Sequence, residues 1–257
     1  MVYQTSQLLL HANPSVYLLG FVFFSTICSY NFHWYLTTSS VASSQRTLWA
    51  QEHKGWHLFL YFTGLAGSII YFFFIRQYWI AIAFGAFVTF LYSAPKIPQA
   101  FFKELKKIAI GKTIFLSFVW MYVTTVLPVI VSGEYWRPGF ILFALSRLFL
   151  IYALCILFDY RDREDDKNDG IKSMITYFSE KGINTLFMLC LLFFTIATIG
   201  LYRYQQSLIT IIILLLPGII VALIYPYAKK NFSDYLYYFV LDGLMMFSGL
   251  LMLVCRI

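Results

Sequence analysis

Charge is what this sequence has least of. Only 12% of its 257 residues are Asp, Glu, Lys or Arg, about half the share of an ordinary soluble domain. A water-solvated globular surface is excluded by that scarcity alone. Acids are scarcest, twelve in all with none before Glu52. Cysteine is limited to Cys28, Cys155, Cys190 and Cys255, each alone in an apolar run. No CxxC or Cys/His spacing is present, which excludes a redox pair or zinc set and leaves them as small core residues. Short alternating strands are missing, and with them a transmembrane barrel. No linker, low-complexity tract or repeat divides residues 1–257, so a single integral membrane domain is expected. Residues 1–14 lack a basic n-region and a small-residue cleavage site, so no cleaved signal is expected.

What is present is apolar: 60% hydrophobic and 21% aromatic residues. Runs near 20 residues long recur along the chain, the length needed to cross a bilayer. In lipid the backbone must satisfy its own polar groups, so such runs are helices. The fold class is therefore an all-α polytopic membrane protein. About eight spans are expected, at about 15–36, 56–75, 78–95, 112–132, 139–160, 182–203, 207–227 and 235–255. The second and third meet at Arg76-Gln77, which predicts a tight antiparallel pair.

The net charge of +7 raises the question of nucleic acid, and its distribution answers it. One alternate set of loops holds fourteen Lys and Arg, the other four, and Arg147 lies within a span. That is a positive-inside pattern, not a nucleic-acid patch. It predicts a multi-pass protein of the cell membrane with both termini outside and the loop after the fifth span in the cytoplasm.

That loop is the chemical anomaly. Six of the twelve acids fall within residues 159–173. Asp159, Asp162 and Asp166 are spaced i, i+3, i+7, one stripe of a helix running past the membrane surface, with Gly170 placed to end it. Two readings are open. The acids form a solvated run paired with Arg161, Arg163 and Lys167. Or they hold magnesium, which takes one or two carboxylates together with substrate phosphates.

The pattern Asp159-x-x-Asp162-x-x-x-Asp166-x-x-x-Gly170, with its tail Gly-Ile-Lys-Ser, resembles the second aspartate motif of the UbiA superfamily of intramembrane prenyltransferases, the ubiquinone-pathway members especially. Tyr92-Ser93-Ala94-Pro95, with the basic loop and apolar span that follow, is similar to the family's middle region. The resemblance implies a helical bundle around a central cavity. It implies Asp159, Asp162 and Asp166 as catalytic and metal-binding residues, with Mg2+ on the diphosphate of a prenyl donor. The prenyl group then passes to a lipophilic acceptor, such as the aromatic ring of a quinone precursor.

The family's first motif, Asn-Asp-x-x-Asp-x-x-x-Asp, is degenerate here. The matching stretch begins at Asn31 and carries Phe32, Tyr35 and Ser39 in place of the acids. The resemblance therefore implies one magnesium ion rather than two, with Asn31, Arg46 and Lys172 as candidate diphosphate ligands. The family's first helix is expected to be lost or reduced to residues 1–12. A degenerate lipid- or partner-binding protein of the same fold is the alternative, and a transporter, lacking evident inverted repeats, a third. Arg147 and Asp242 are intramembrane charges, expected to find polar partners inside the bundle.

Overall fold

The computed structural model describes residues 1–36, 45–93, 112–168 and 174–255. Among these residues every element is helical. A short helix, α1 (Val2–Leu9), precedes α2 (Val16–Tyr35), and α3 (Gln45–Glu52) leads into α4 (Lys54–Phe74). A single 3-10 turn, Arg76–Tyr78, joins α4 to α5 (Trp79–Ser93). Helix α6 comprises Lys112–Met121 and Leu127–Ser132 around a π-helical turn at Tyr122–Val126. Then come α7 (Pro138–Arg161), α8 (Arg163–Asn168), α9 (Met174–Tyr177), α10 (Glu180–Gly200) and α11 (Leu208–Ala228). Helix α12 is a π turn at Leu236–Leu241 continued by Asp242–Cys255.

Seven of these helices are long and apolar enough to cross a membrane. The span expected at 78–95 corresponds to α5, which has 15 described residues, and its C-terminal continuation lies outside the described residues. Serine starts three of the spans, because its hydroxyl accepts an otherwise unpaired N–H of the first turn. Ser15 caps α2, Ser179 caps α10 and Ser207 caps α11.

Helix α7 is the axis of the bundle. It packs against α6, α10, α11 and α12, and 67% of its apolar window lies inside the protein. Ile151, Ala153, Leu154, Ile156 and Leu157 are fully buried. Helix α2 stands at the other extreme with 6% of its window buried, and α4 with 17%.

The tight pair expected between the second and third spans does not form. Helix α4 packs on α2, and α5 packs on α6. Close approach explains the choice. A Cβ on Gly64 would lie 2.5 Å from Cys28 N and 2.8 Å from Phe24 O. The two backbones touch only because Gly64 has no side chain. Gly67 admits the Phe24 ring, Gly20 admits Tyr71, and Ser25 donates to Ser68 at 3.2 Å.

Helix α1 is a short helix packed into the bundle. Its residues Gln4, Thr5 and Ser6 are buried, and it rests against α6 and α12. Leu8 O accepts from Gln206 Nε2 in the loop between α10 and α11 at 2.9 Å. Met1, at the opposite end of α1, lies beside Gly249 in the middle of α12.

Candidate functional site

The buried column of α7 carries Asp159 and Asp162 to one end of the bundle. Asp159 is 7% exposed and accepts a short hydrogen bond from Thr113 Oγ1 on α6. Asp162 ends the helix: its N–H bonds Phe158 O and Tyr160 O, and its φ and ψ are −85° and 2°. A new helix begins at Arg163. The single straight helix expected through the acidic run is therefore interrupted at Asp162, and the side chain of Asp166, the third member of the expected stripe, lies outside the described residues. Carboxylate repulsion opposes a straight stripe, and Asp162 instead takes up Arg161. Arg161 Nε lies 2.7 Å from Asp162 Oδ1, and Nη2 lies 3.4 Å from Oδ2.

Arg161 is held from several sides. Its guanidinium sits over the rings of Tyr238 at 4.7 Å, Tyr237 at 4.8 Å and Phe158 at 5.6 Å. Nη2 donates to Tyr238 Oη at 2.8 Å. Tyr237 is itself anchored, fully buried with its hydroxyl on Ala228 O at 2.9 Å. Both tyrosines lie in the π turn of α12, an irregularity frequent at functional sites. Trp34 of α2 meets the Tyr238 ring edge-on at 6.4 Å. The end of α7 is thereby joined through α12 to the end of α2. Sequence reasoning missed Thr113, Tyr237, Tyr238 and Trp34. Their signal was only a pair of tyrosines early in the last span and a threonine opening α6.

The other bases of the run are engaged locally. Lys167 donates to Glu164 at 2.7 Å and holds that exposed carboxyl below its ordinary pKa. Arg163 turns away, to Glu180 Oε1 and Phe178 O, both at 3.0 Å. Glu180 also receives Tyr160 at 2.9 Å and Lys229 at 2.6 Å, which stitches α7, α10 and α11 together at this end.

Asn31 is committed to α4. Its Nδ2 donates to Ile27 O at 2.8 Å, and its Oδ1 lies 2.8 Å from His57 Nδ1. His33, beside it, stacks on Tyr92 of α5 at 5.1 Å. Asp166 lies in α8 and Arg46 in α3, with their side chains outside the described residues. Lys172, Gly170 and the basic loop from Lys96 to Lys107 also lie outside them.

Among the described residues no group of three His, Cys, Asp or Glu side chains is assembled for a metal. Asp159 and Asp162 can supply one or two carboxylates. That donor set fits magnesium arriving with phosphate oxygens, which needs no more from the protein, and does not fit an all-protein cage.

A second polar cluster lies deeper. Arg147 Nη1 donates to Thr5 Oγ1 and Thr124 O, each at 2.8 Å, and to Thr125 Oγ1 at 3.0 Å. Its Nη2 donates to Gln4 Oε1 at 2.8 Å. Gln4 Nε2 donates in turn to Ser248 Oγ at 3.1 Å. The π turn of α6 supplies Thr124 and Thr125. Arg147 thus pairs with polar neighbours, as expected, and not with Asp242.

Comparison with known families matches residues 44–241 to the UbiA prenyltransferase family. The match runs from the residue before α3 to the end of the π turn of α12, and so takes in Asp159, Asp162, Arg161, Tyr237 and Tyr238. No curated protein and no solved structure matches the chain.

Proposed function

Because the chain belongs to the UbiA prenyltransferase family, we propose that it binds a prenyl diphosphate at the Asp159–Asp162 end of α7 and transfers the prenyl group to a lipophilic acceptor of the aromatic, quinone-precursor type. The supporting observation is the placement of two carboxylates, one buried and one partly exposed, at the end of the most buried span. Asp162 meets Arg161 there, and a pair of carboxylates is what magnesium takes from a protein when phosphate supplies its other ligands.

The residues divide the work. Thr113 donates to Asp159 and orients its carboxylate. Asp162, with its side chain 42% exposed, faces the approach of the diphosphate. Asp159 and Asp162 would hold Mg2+, with Asp166 next along the chain, and the ion would neutralise charge on the leaving diphosphate. In the reaction the allylic C–O bond breaks with its electron pair left on the diphosphate. A carbon of the acceptor ring then bonds to the allylic carbon, and the ring releases a proton. By the positive-inside pattern this end of the bundle is cytoplasmic.

The test is titration of purified protein with farnesyl diphosphate, with and without Mg2+, followed by turnover with an aromatic acceptor. The expected result is Mg2+-dependent binding that falls sharply in Asp162→Ala/Asp166→Ala. Identical behaviour of the double variant and the wild type sinks the proposal. A second reading, a lipid- or partner-binding protein without turnover, is favoured by one observation: α2 offers Phe32 and Tyr35 in place of acids, and Asn31 is committed to His57. It predicts that the donor binds and is not consumed.

A further inference from the structure

We propose that Arg161 is the diphosphate-binding guanidinium of this protein, held by Asp162 and exchanged onto phosphate oxygens when the donor binds. The proposal rests on the diphosphate reading above and goes beyond it by naming a ligand outside the aspartate pattern.

Three observations carry it. First, Arg161 Nη1 is buried and has no hydrogen-bond partner among the described residues. A buried N–H left unpaired costs about 1–3 kcal/mol; Arg163 Nε shares that condition, so it counts for Arg161 only together with the two observations that follow. Second, the fork is oriented in advance. The rings of Tyr237, Tyr238 and Phe158 pack around it, and the Tyr238 hydroxyl accepts from Nη2. The planar guanidinium matches phosphate bidentately. Third, the two partners differ in freedom. The Arg161 side chain is 12% exposed and that of Asp162 is 42% exposed, so the acid is the member that can swing away. When Asp162 turns to a cation, the Nε/Nη2 edge of Arg161 is left facing the same space.

The position supports the exchange. Arg161 lies where α7, the π turn of α12 and, through Trp34, the end of α2 meet. Helix α2 carries no carboxylate there. A fixed positive charge at this junction supplies anion binding that α2 does not contribute through a metal. The neighbouring Arg163 is turned to Glu180 and serves as a control of equal charge.

The experiment measures the dissociation constant of farnesyl thiolodiphosphate, an unreactive diphosphate, for purified protein in Mg2+, with farnesol as the probe lacking phosphate. Arg161→Gln should weaken thiolodiphosphate binding about tenfold or more and leave farnesol binding unchanged. Arg163→Ala should bind like the wild type. Arg161→Lys keeps the charge without the fork and should fall between. If wild type binds and Arg161→Gln binds equally well, the assignment of Arg161 is overturned while the proposed function stands. If wild type shows no Mg2+-dependent binding, both are overturned. Should Arg161→Gln fail to fold, judged by size-exclusion chromatography, Arg161→Lys decides. Unchanged affinity in that variant overturns the bidentate role, and a loss of about threefold or more supports it.

Discussion

Arg147 Nη2 on α7 donates to Gln4 Oε1 on α1 at 2.8 Å, across 143 positions of sequence. With Thr5, Thr124 and Thr125 on Nη1, this bond secures a helix of eight residues inside the bundle. Removing the guanidinium leaves several buried oxygens without their donor. Arg147→Met should cost about 2 kcal/mol, a fall in Tm of about 5 °C for a chain of this size. Gln4→Leu should cost about half as much. Thermal unfolding in detergent reads both, and an unchanged Tm in Arg147→Met would show that the cluster secures nothing.

The pairing of α2 with α4 depends on the missing Cβ of Gly64. Gly64→Ala must push the two backbones apart and should cost about 1–3 kcal/mol. Gly55, in the first turn of the same helix, has nothing within 4 Å of its would-be Cβ. Gly55→Ala should therefore be neutral or stabilise by up to about 1 kcal/mol. The comparison is made by melting the two variants side by side. Equal shifts would mean that helix propensity, and not the close approach, decides.

Thr113 and Asp159 test how far the site is built in advance. Thr113→Val keeps the shape and removes the hydroxyl that Asp159 accepts. Loss of one hydrogen bond to a charged group should weaken Mg2+-dependent binding of a prenyl diphosphate about tenfold, and Thr113→Ser should restore most of it. If Thr113→Val binds as the wild type does, the Asp159 carboxylate has no need of this donor.

Asn31 gives the opposite expectation. Its amide is spent on Ile27 O and His57, so Asn31→Ala should lower stability by about 1 kcal/mol with diphosphate affinity nearly unchanged. A selective loss of affinity at constant Tm would return Asn31 to the binding site, where the degenerate first motif had suggested it.

Much of this was legible in one dimension. The spans follow from apolar run length, which lipid enforces locally on every residue. The acidic run stood out because charge is rare elsewhere, and its resemblance to the second aspartate motif named the family later matched over residues 44–241. The break at Asp162 was not legible. Helical spacing describes only a helix that continues, whereas the Arg161–Asp162 contact and the start of α8 at Arg163 end it there. The pairing of α4 was misread because a short connection implied adjacency. The partner was chosen instead by how closely two backbones can approach, which Gly64 decides only in relation to Cys28.

The sequence by itself determined that the chain is a helical membrane protein and where its long apolar runs lie. Those are properties of composition and local period. Tertiary structure decided what each polar side chain is occupied with: Asp159 with Thr113, Asp162 with Arg161, Asn31 with His57, and Arg147 with Gln4. Inside a bundle nearly every buried donor and acceptor must find a partner. Which partner it finds depends on helices brought together from distant parts of the chain.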